Sequence, residues 1–478
     1  MLFDSLEFAV FLPIVFAVYW SLSNKSLRFQ NAFLIAASYV FYGWWDWRFL
    51  ALIIFSSGVD YLVAKGLSKT IDSKKRRTLL WTSISINIGL LGVFKYFDFF
   101  SKSFAEAFTL LGKPLDPLLL NIVLPVGISF YTFQTLSYSI DVYRRKLEPS
   151  NDLISFFAYV SFFPQLVAGP IERATNLLPQ FYIRRAFIYG KVVDGMRQIL
   201  WGLFKKVVIA DNCAHIVDDV FNNVSILNGS TLVLGAFFFT IQIYCDFSGY
   251  SDIAIGTARL FGFDLKPNFR FPFFSRDIAE FWRRWHISLT TWFRDYLYIP
   301  LGGSQGGVWL TARNVFIIFL ISALWHGANW TFILWGCLNA FYLFPLILAK
   351  KNRTNLNNVA SMRFLPSLKE ALQMGVTFML VAFAFIIFRA ETISEAMAYI
   401  NGVFSRSVVG DIQIYERRAF IPLIAVLFLV EWFGRERLHA LEGLFKYHQC
   451  LRWVIYLVLI LIIISFRGER QEFIYFQF

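Results

Sequence analysis

Residues 322–336 read SALWHGANWTFILWG and hold one ionisable ring, His326, among apolar and aromatic neighbours. A neutral imidazole near physiological pH can take a proton from a hydroxyl, which suits a general base. The plainer reading is a neutral ring bonded to a backbone carbonyl. An ionisable group inside a membrane is costly unless it is neutral, paired or facing a hydrated space, so the position itself points to function. Forty residues earlier, AEFWRRWHISLTTWFRDYLYIPLGGSQGG (279–307) holds a second histidine, His286. Around it lie Arg283, Arg284 and Arg294, with Arg270 and Arg276 just upstream. Such a cluster could neutralise the phosphates of an anionic donor while aromatic side chains wall a slot for its uncharged arm.

The same stretch supports a second reading. Trp282, Trp285, Leu289, Phe293 and Tyr296 recur every three or four residues and make one apolar stripe. With the basic residues beside it, this predicts an amphipathic helix over 279–296, lying in the cytoplasmic interface. The following IPLGGSQGG lacks the Lys-Ser/Thr of a nucleotide P-loop and reads as a turn back to the membrane.

Two carboxylates complete the candidates. Asp246 and Asp252 interrupt an apolar run, with Gln242, Tyr244, Ser248 and Tyr250 beside them. Buried carboxylates need a partner, for which Arg259 or the arginines near 283 are available. A structural ion pair is the plainer reading and support of the site the sharper one. The spacing of these aspartates and the two histidines matches no metal-ligand pattern, so no metal is expected.

The elements that hold these residues follow from composition. Hydrophobic residues make up 57% of the 478, aromatics 19% and charged residues only 16%. An ordinary soluble chain is about half apolar and a quarter charged, so this is an all-α polytopic membrane protein. Apolar windows recur along nearly the whole chain, for example 6–22, 49–64 and 119–140, and suggest about 11–13 transmembrane or re-entrant helices. The first window opens with Asp4 and Glu7 and lacks a small-residue cleavage pattern, so it reads as a retained helix. Residues 314–349 carry no charge except His326. At 1.5 Å per residue they make about 54 Å of helix, which demands one long tilted helix or two packed ones. No internal repeat or long polar insertion is visible, so 1–478 reads as a single membrane domain.

Basic loops after the first segment (Lys25, Arg28), at 65–77 and at 143–146 become cytoplasmic if the N-terminus lies outside. The net charge of +13 then reflects loops facing anionic lipid, with no call for nucleic acid. Four scattered cysteines form no CxxC pair and read as packing residues.

EFWRRWHISLTTWFRDYLYIPLGG (280–303) followed by LWHGANWTFILWG (324–336) resembles the signature of the membrane-bound O-acyltransferases. LPVGISFYTFQTLSYSIDVYRR (124–145), FFPQLVAGPIER (162–173), QIYCDFSGYSDIAIGTARLFGF (242–263) and the terminal FIYFQF (473–478) resemble its bacterial, alginate O-acetylation branch. The resemblance implies a helix bundle around a tunnel, with His326 catalytic and His286 a second site residue. It implies acetyl-CoA as donor substrate, no permanently bound cofactor, and O-acetylation of a secreted or envelope polysaccharide. It also implies residence in the bacterial inner membrane. The resemblance also implies a periplasmic acetyltransferase or acceptor protein as partner, since the chain shows no hydrolase-like domain to carry out that second transfer itself. Arg276, Arg283, Arg284 and Arg294 would meet the donor, and His286, Trp325 or Asn329 would stabilise the oxyanion. Bulky Trp325, Trp330 and Phe332 beside His326 would favour a small acyl group. The competing reading is a transporter using Asp246, Asp252 and His326 as a proton relay, which should show repeat symmetry.

Overall fold

The computed structural model describes residues 1–167, 169–413, 418–468 and 471–474. Ala168, within the FFPQLVAGPIER block, and Tyr475 to Phe478 of the FIYFQF block lie outside the described residues. All regular structure among the described residues is helical. Seven helical stretches there are long and apolar enough to cross a membrane: Leu6–Asn24, Leu27–Lys69, Ser73–Leu110, Gly229–Leu260, Gly307–His326, Trp330–Leu348 and Leu368–Arg389. Ile421–Gly434 and Gln449–Ser465 are shorter apolar helices. The second stretch is itself two helices, Leu27–Asp46 and Leu50–Lys69. Asp46 leaves helical geometry at φ −158° and its carboxylate accepts from the Arg48 N–H at 2.9 Å. The architecture is that of a multi-pass membrane protein.

The chain divides into two compact units, residues 1–195 with 254–266 and residues 196–253 with 267–478. In the first unit, the helices Leu50–Lys69, Ser73–Leu91 and Ile128–Tyr143 converge on the fully buried Asp60. Its Oδ1 accepts from the hydroxyls of Ser83 and of Ser139 (2.7 Å), and its Oδ2 accepts from the Asn87 amide at 2.9 Å. Lipid offers such groups no hydrogen bonds, so polar side chains between helices satisfy one another and hold the helices together.

The second unit contains both candidate histidines. Residues 314–349 form two packed helices, Gly307–His326 and Trp330–Leu348, so the second of the two sequence readings holds. Gly327 is extended between them, and the Asn329 side-chain Oδ1 caps the second helix by accepting from the Thr331 N–H at 3.0 Å.

The partners of the two aspartates differ from those expected. Lys205 Nζ lies 2.6 Å from Asp252, and Lys206 Nζ lies 2.7 Å from Asp246 and 2.8 Å from Asp211. Arg259, the expected partner, pairs instead with Asp194 at 2.6 Å. The lysines occupy a π-helical turn, Phe204–Ala210, beside the long helix Gly229–Leu260 that carries both aspartates. Two glycines let the backbones meet there: a methyl group added at Gly202 would lie 2.6 Å from the Gly249 carbonyl oxygen, and one added at Gly249 would lie 2.8 Å from that of Gly202. Small residues at helix crossings permit such approach. The plainer reading of the aspartates, a structural ion-pair hub, is the one this geometry supports.

Replacing Lys206 with Met takes the cation from two buried carboxylates, and breaking a buried ion pair in this way costs roughly 3–5 kcal/mol. The expected outcome is a clear drop in the thermal midpoint of the detergent-solubilised protein. Lys191→Met, which breaks an exposed pair with Asp264, should cost under about 1 kcal/mol.

Candidate active site

The amphipathic helix expected over 279–296 is broken in two. Ile278–Arg284 ends at Trp285, which is extended, and Ile287–Phe293 begins after His286, whose φ of 43° is left-handed. A non-glycine residue in that region is strained and persists only where its surroundings hold it. Asn268 holds it. The Asn268 backbone carbonyl accepts the Ile287 N–H at 2.8 Å, and its side-chain Oδ1 accepts the Ser288 N–H at 3.3 Å. In a continuous helix those two N–H groups would bond to the carbonyls four residues back. One of those carbonyls, that of Arg284, instead accepts the Arg270 N–H at 3.0 Å. The segment 268–270 therefore replaces a turn of helical ladder, which accounts for the break.

The apolar stripe survives the break with a different purpose. Trp285, Leu289 and Phe293 are each 3% exposed, so the stripe is buried and does not lie on a membrane surface. With Trp282 they wall a cavity of about 170 Å³. The opposite wall comes from one face of Gly307–His326, namely Val315, Ile318, Phe319, Ser322 and His326. These positions cover about 16 Å of helix length at 1.5 Å per residue. His286 and His326 both line this cavity, along with Thr290, Arg294 and Tyr298.

Both histidines are buried, at 1% and 6% exposure, and set in aromatic rings. The Trp325 ring stands 5.6 Å from His286 and 4.9 Å from His326, so it touches both. Trp335 and Phe388 meet the His326 ring edge to face at 5.1 and 5.2 Å. Phe247 does the same for His286 at 4.7 Å. His286 Nδ1 lies 3.1 Å from Asn268 Oδ1. Burial lowers the His286 ring from the usual histidine value to about 3. It is therefore neutral at physiological pH.

Of the four arginines expected to meet a donor, the structure puts Arg294 alone on the cavity wall; its side chain is 58% exposed and pairs with Asp295 at 2.7 Å. Arg276 and Arg284 grip the buried Glu280 at 3.0 and 2.9 Å, and Arg283 donates to the carbonyls of Asn352 and Asn355. Those three guanidiniums fasten the 352–358 segment to the Ile278–Arg284 helix; Arg276 and Arg284 also reach Asn357 and Asn358. Arg276, Arg283 and Arg284 thus have structural partners where phosphate contacts were expected.

Asn329 is likewise a helix cap whose side-chain amide donates to the Glu391 carbonyl at 2.8 Å, so both ends of the amide have structural partners. Trp330 is 53% exposed, and neither it nor Trp325 nor Phe332 lines the cavity; its bulk comes from Trp282, Trp285, Phe293 and Phe319. Asn268, Lys205 and Lys206 were missed in the sequence. The adjacent lysines inside an apolar run were a visible signal for the buried pairs, whereas nothing in the spacing of Asn268 marks it.

A helical membrane protein with two buried histidines on one largely apolar cavity has a candidate site of the kind that binds a small ligand, and comparison with known sequences assigns the class. Residues 146–389, which include both histidines, match the membrane-bound O-acyltransferase family. The chain belongs to that family and is an O-acyltransferase. It is 39% identical to the probable alginate O-acetylase AlgI of Pseudomonas syringae pv. tomato, over 90% of this chain and 80% of that one. It is 34% identical to the peptidoglycan O-acetyltransferase of Helicobacter pylori, over 82% and 77% of the two chains. A teichoic acid D-alanyltransferase of Bacillus subtilis is 26% identical over 57% of this chain and 70% of its own.

Two outcomes follow. Between pH 6.5 and about 3 the unfolded chain binds a proton that native His286 refuses, so its contribution to stability is present above pH 6.5 and falls as pH drops. Thermal midpoints measured from pH 7 to 4 should decline less steeply in His286→Gln than in the parent. Asn329→Ala should cost roughly 1 kcal/mol as a lost helix cap, with acyl transfer retained once the protein is folded. Loss of turnover at unchanged stability would return Asn329 to the reaction.

Proposed function

We propose that this chain moves an acetyl group from cytosolic acetyl-CoA toward hydroxyls of a secreted or cell-envelope polysaccharide, with His326 as general base. The observation that carries this reading is the placement of His326 and His286 on the wall of one cavity whose remaining lining is mostly apolar. A base acting there is shielded from bulk water, which strengthens its electrostatic interactions and limits wasteful hydrolysis of the donor.

In the proposed step, His326 takes the proton of the acceptor hydroxyl as that oxygen bonds to the thioester carbonyl carbon. The carbonyl electrons move onto oxygen, then return as the carbon–sulfur bond breaks. The thiolate takes the proton from His326, so the products are an O-acetyl ester and free coenzyme A, with the histidine restored. His326 ends its helix, and the partial negative charge of helix C-terminal carbonyls favours the imidazolium formed on the way. Arg294, at the cavity and largely exposed, is placed to meet an anionic part of the donor. The other three arginines act indirectly, by holding the wall that carries Trp282 and Trp285.

The acceptor class rests on the relatives, whose names give alginate and peptidoglycan O-acetylation. We place the protein in the bacterial inner membrane, with acetyl-CoA reaching it from the cytosol and a periplasmic acetyltransferase or acceptor protein receiving the group. No resident cofactor enters the scheme.

Purified protein supplied with labelled acetyl-CoA and native membrane extract should release coenzyme A thiol and transfer label. His326→Ala should lower turnover by about 10²–10⁴-fold. Equal transfer by parent and variant would remove His326 from the chemistry and leave another group on the cavity wall as the base.

A further inference from the structure

The Asn268 side chain does more than cap a strained turn. Its amide orientation is set by groups with no choice of role. The Ser288 backbone N–H can only donate, and it points at Oδ1 from 3.3 Å. The Ser288 hydroxyl reaches the same oxygen at 2.9 Å, while Nδ2 donates to Ser251 Oγ at 3.2 Å. Turning the amide over would set the Ser288 N–H against an NH₂ group, donor against donor. Oδ1 therefore faces His286, and an oxygen can only accept.

We propose that Asn268 is a positioning residue that fixes His286 as the Nδ1–H tautomer, so that Nε2 is the proton-accepting nitrogen of the ring in the cavity wall. A neutral imidazole has one donor and one acceptor nitrogen, and the hydrogen bond made by one decides the role of the other. His286 then accepts a hydrogen bond from an N–H or O–H of a bound substrate, such as an amide of the donor's arm or the acceptor hydroxyl. It cannot act as the oxyanion donor considered from sequence. This inference rests on the acyl-transfer reading for its catalytic consequence, but the tautomer itself does not.

Substitution at 268 keeps the two backbone bonds of the break, Asn268 carbonyl to Ile287 N–H and Arg284 carbonyl to Arg270 N–H; Asn268→Leu removes the acceptor of the Ser288 N–H, and Asn268→Asp retains it. Full-length protein with ring-¹⁵N histidine, reconstituted in lipid, allows solid-state NMR to separate the two tautomers. The chain has 5 histidines, so loss of a signal in His286→Gln assigns it. The expected result is a protonated Nδ1 and an unprotonated Nε2 in the parent protein. Asn268→Leu should release the ring to the Nε2–H form and lower kcat on the order of 10²-fold, with donor KM changed less than about twofold. Asn268→Asp keeps an acceptor in place, so it should restore the Nδ1–H form and most of the rate, and move the ring's titration to higher pH.

An Nε2–H signal in the parent, or an unchanged tautomer in Asn268→Leu, would overturn the proposal. So would a failure of Asn268→Asp to restore the tautomer in protein that remains monodisperse. Normal transfer by His326→Ala would sink the base assignment alone, because the tautomer signal does not depend on turnover.

Discussion

The active site depends on where two backbone N–H groups go. In a chain this apolar, each buried amide must find an acceptor within the protein, and the helix ordinarily supplies one four residues back. At Ile287 and Ser288 the acceptors are the two oxygens of Asn268. That exchange frees the helix to break, turns His286 into the left-handed region, and leaves the ring on the cavity wall. The strain at His286 is tolerated because the lost ladder bonds are replaced rather than simply removed. A buried cavity residue with unfavourable backbone geometry whose neighbours' N–H groups all find acceptors is the pattern expected of a pre-organised site.

The charged residues around this site divide into those that hold it and those that face the cavity. Glu280, 1% exposed, collects Arg276 and Arg284, and the same arginines with Arg283 tie down the 352–358 segment. Lys205 and Lys206 do the corresponding work for the long helix Gly229–Leu260, each lying between carboxylates. Buried ion pairs of this kind contribute little net stability compared with apolar packing, but they are costly to break and set which helix faces meet. Among the described residues, the cavity wall keeps Arg294 and the two histidines as its ionisable nitrogen groups. A mostly apolar lining with few placed polar groups is how ligand sites gain both affinity and orientation.

Much of this was legible from residue types. His326 stood out because an ionisable ring in a 36-residue uncharged stretch is expensive unless it has a use. The stripe from Trp282 to Phe293 was legible as one apolar face, and its members do line one surface. That surface turned out to be a cavity wall because periodicity reports which side chains share a face but says nothing of what the face meets. The partners of the arginines were hidden for a related reason. A basic cluster has the same sequence whether its guanidiniums reach for a ligand or for Glu280 and the carbonyls of a distant loop. Asn329 likewise carries the same amide whether it caps a helix or faces a substrate.

The sequence by itself determined the membrane class, the family and the two histidines, because each rests on composition or on contiguous motifs. Apolar content sets solubility in lipid, and a motif is read within a few residues of itself. The tertiary structure alone decided that Asn268 breaks the helix at His286, that lysines and not Arg259 neutralise the aspartates, and that only one of four arginines reaches the cavity. Many of the contacts behind those outcomes join residues far apart in sequence, from Asn268 and His286 at 18 positions to Arg276 and Asn357 at 81. Such contacts are a matter of which groups the packed helices bring within about 3 Å of one another, and no local pattern encodes that.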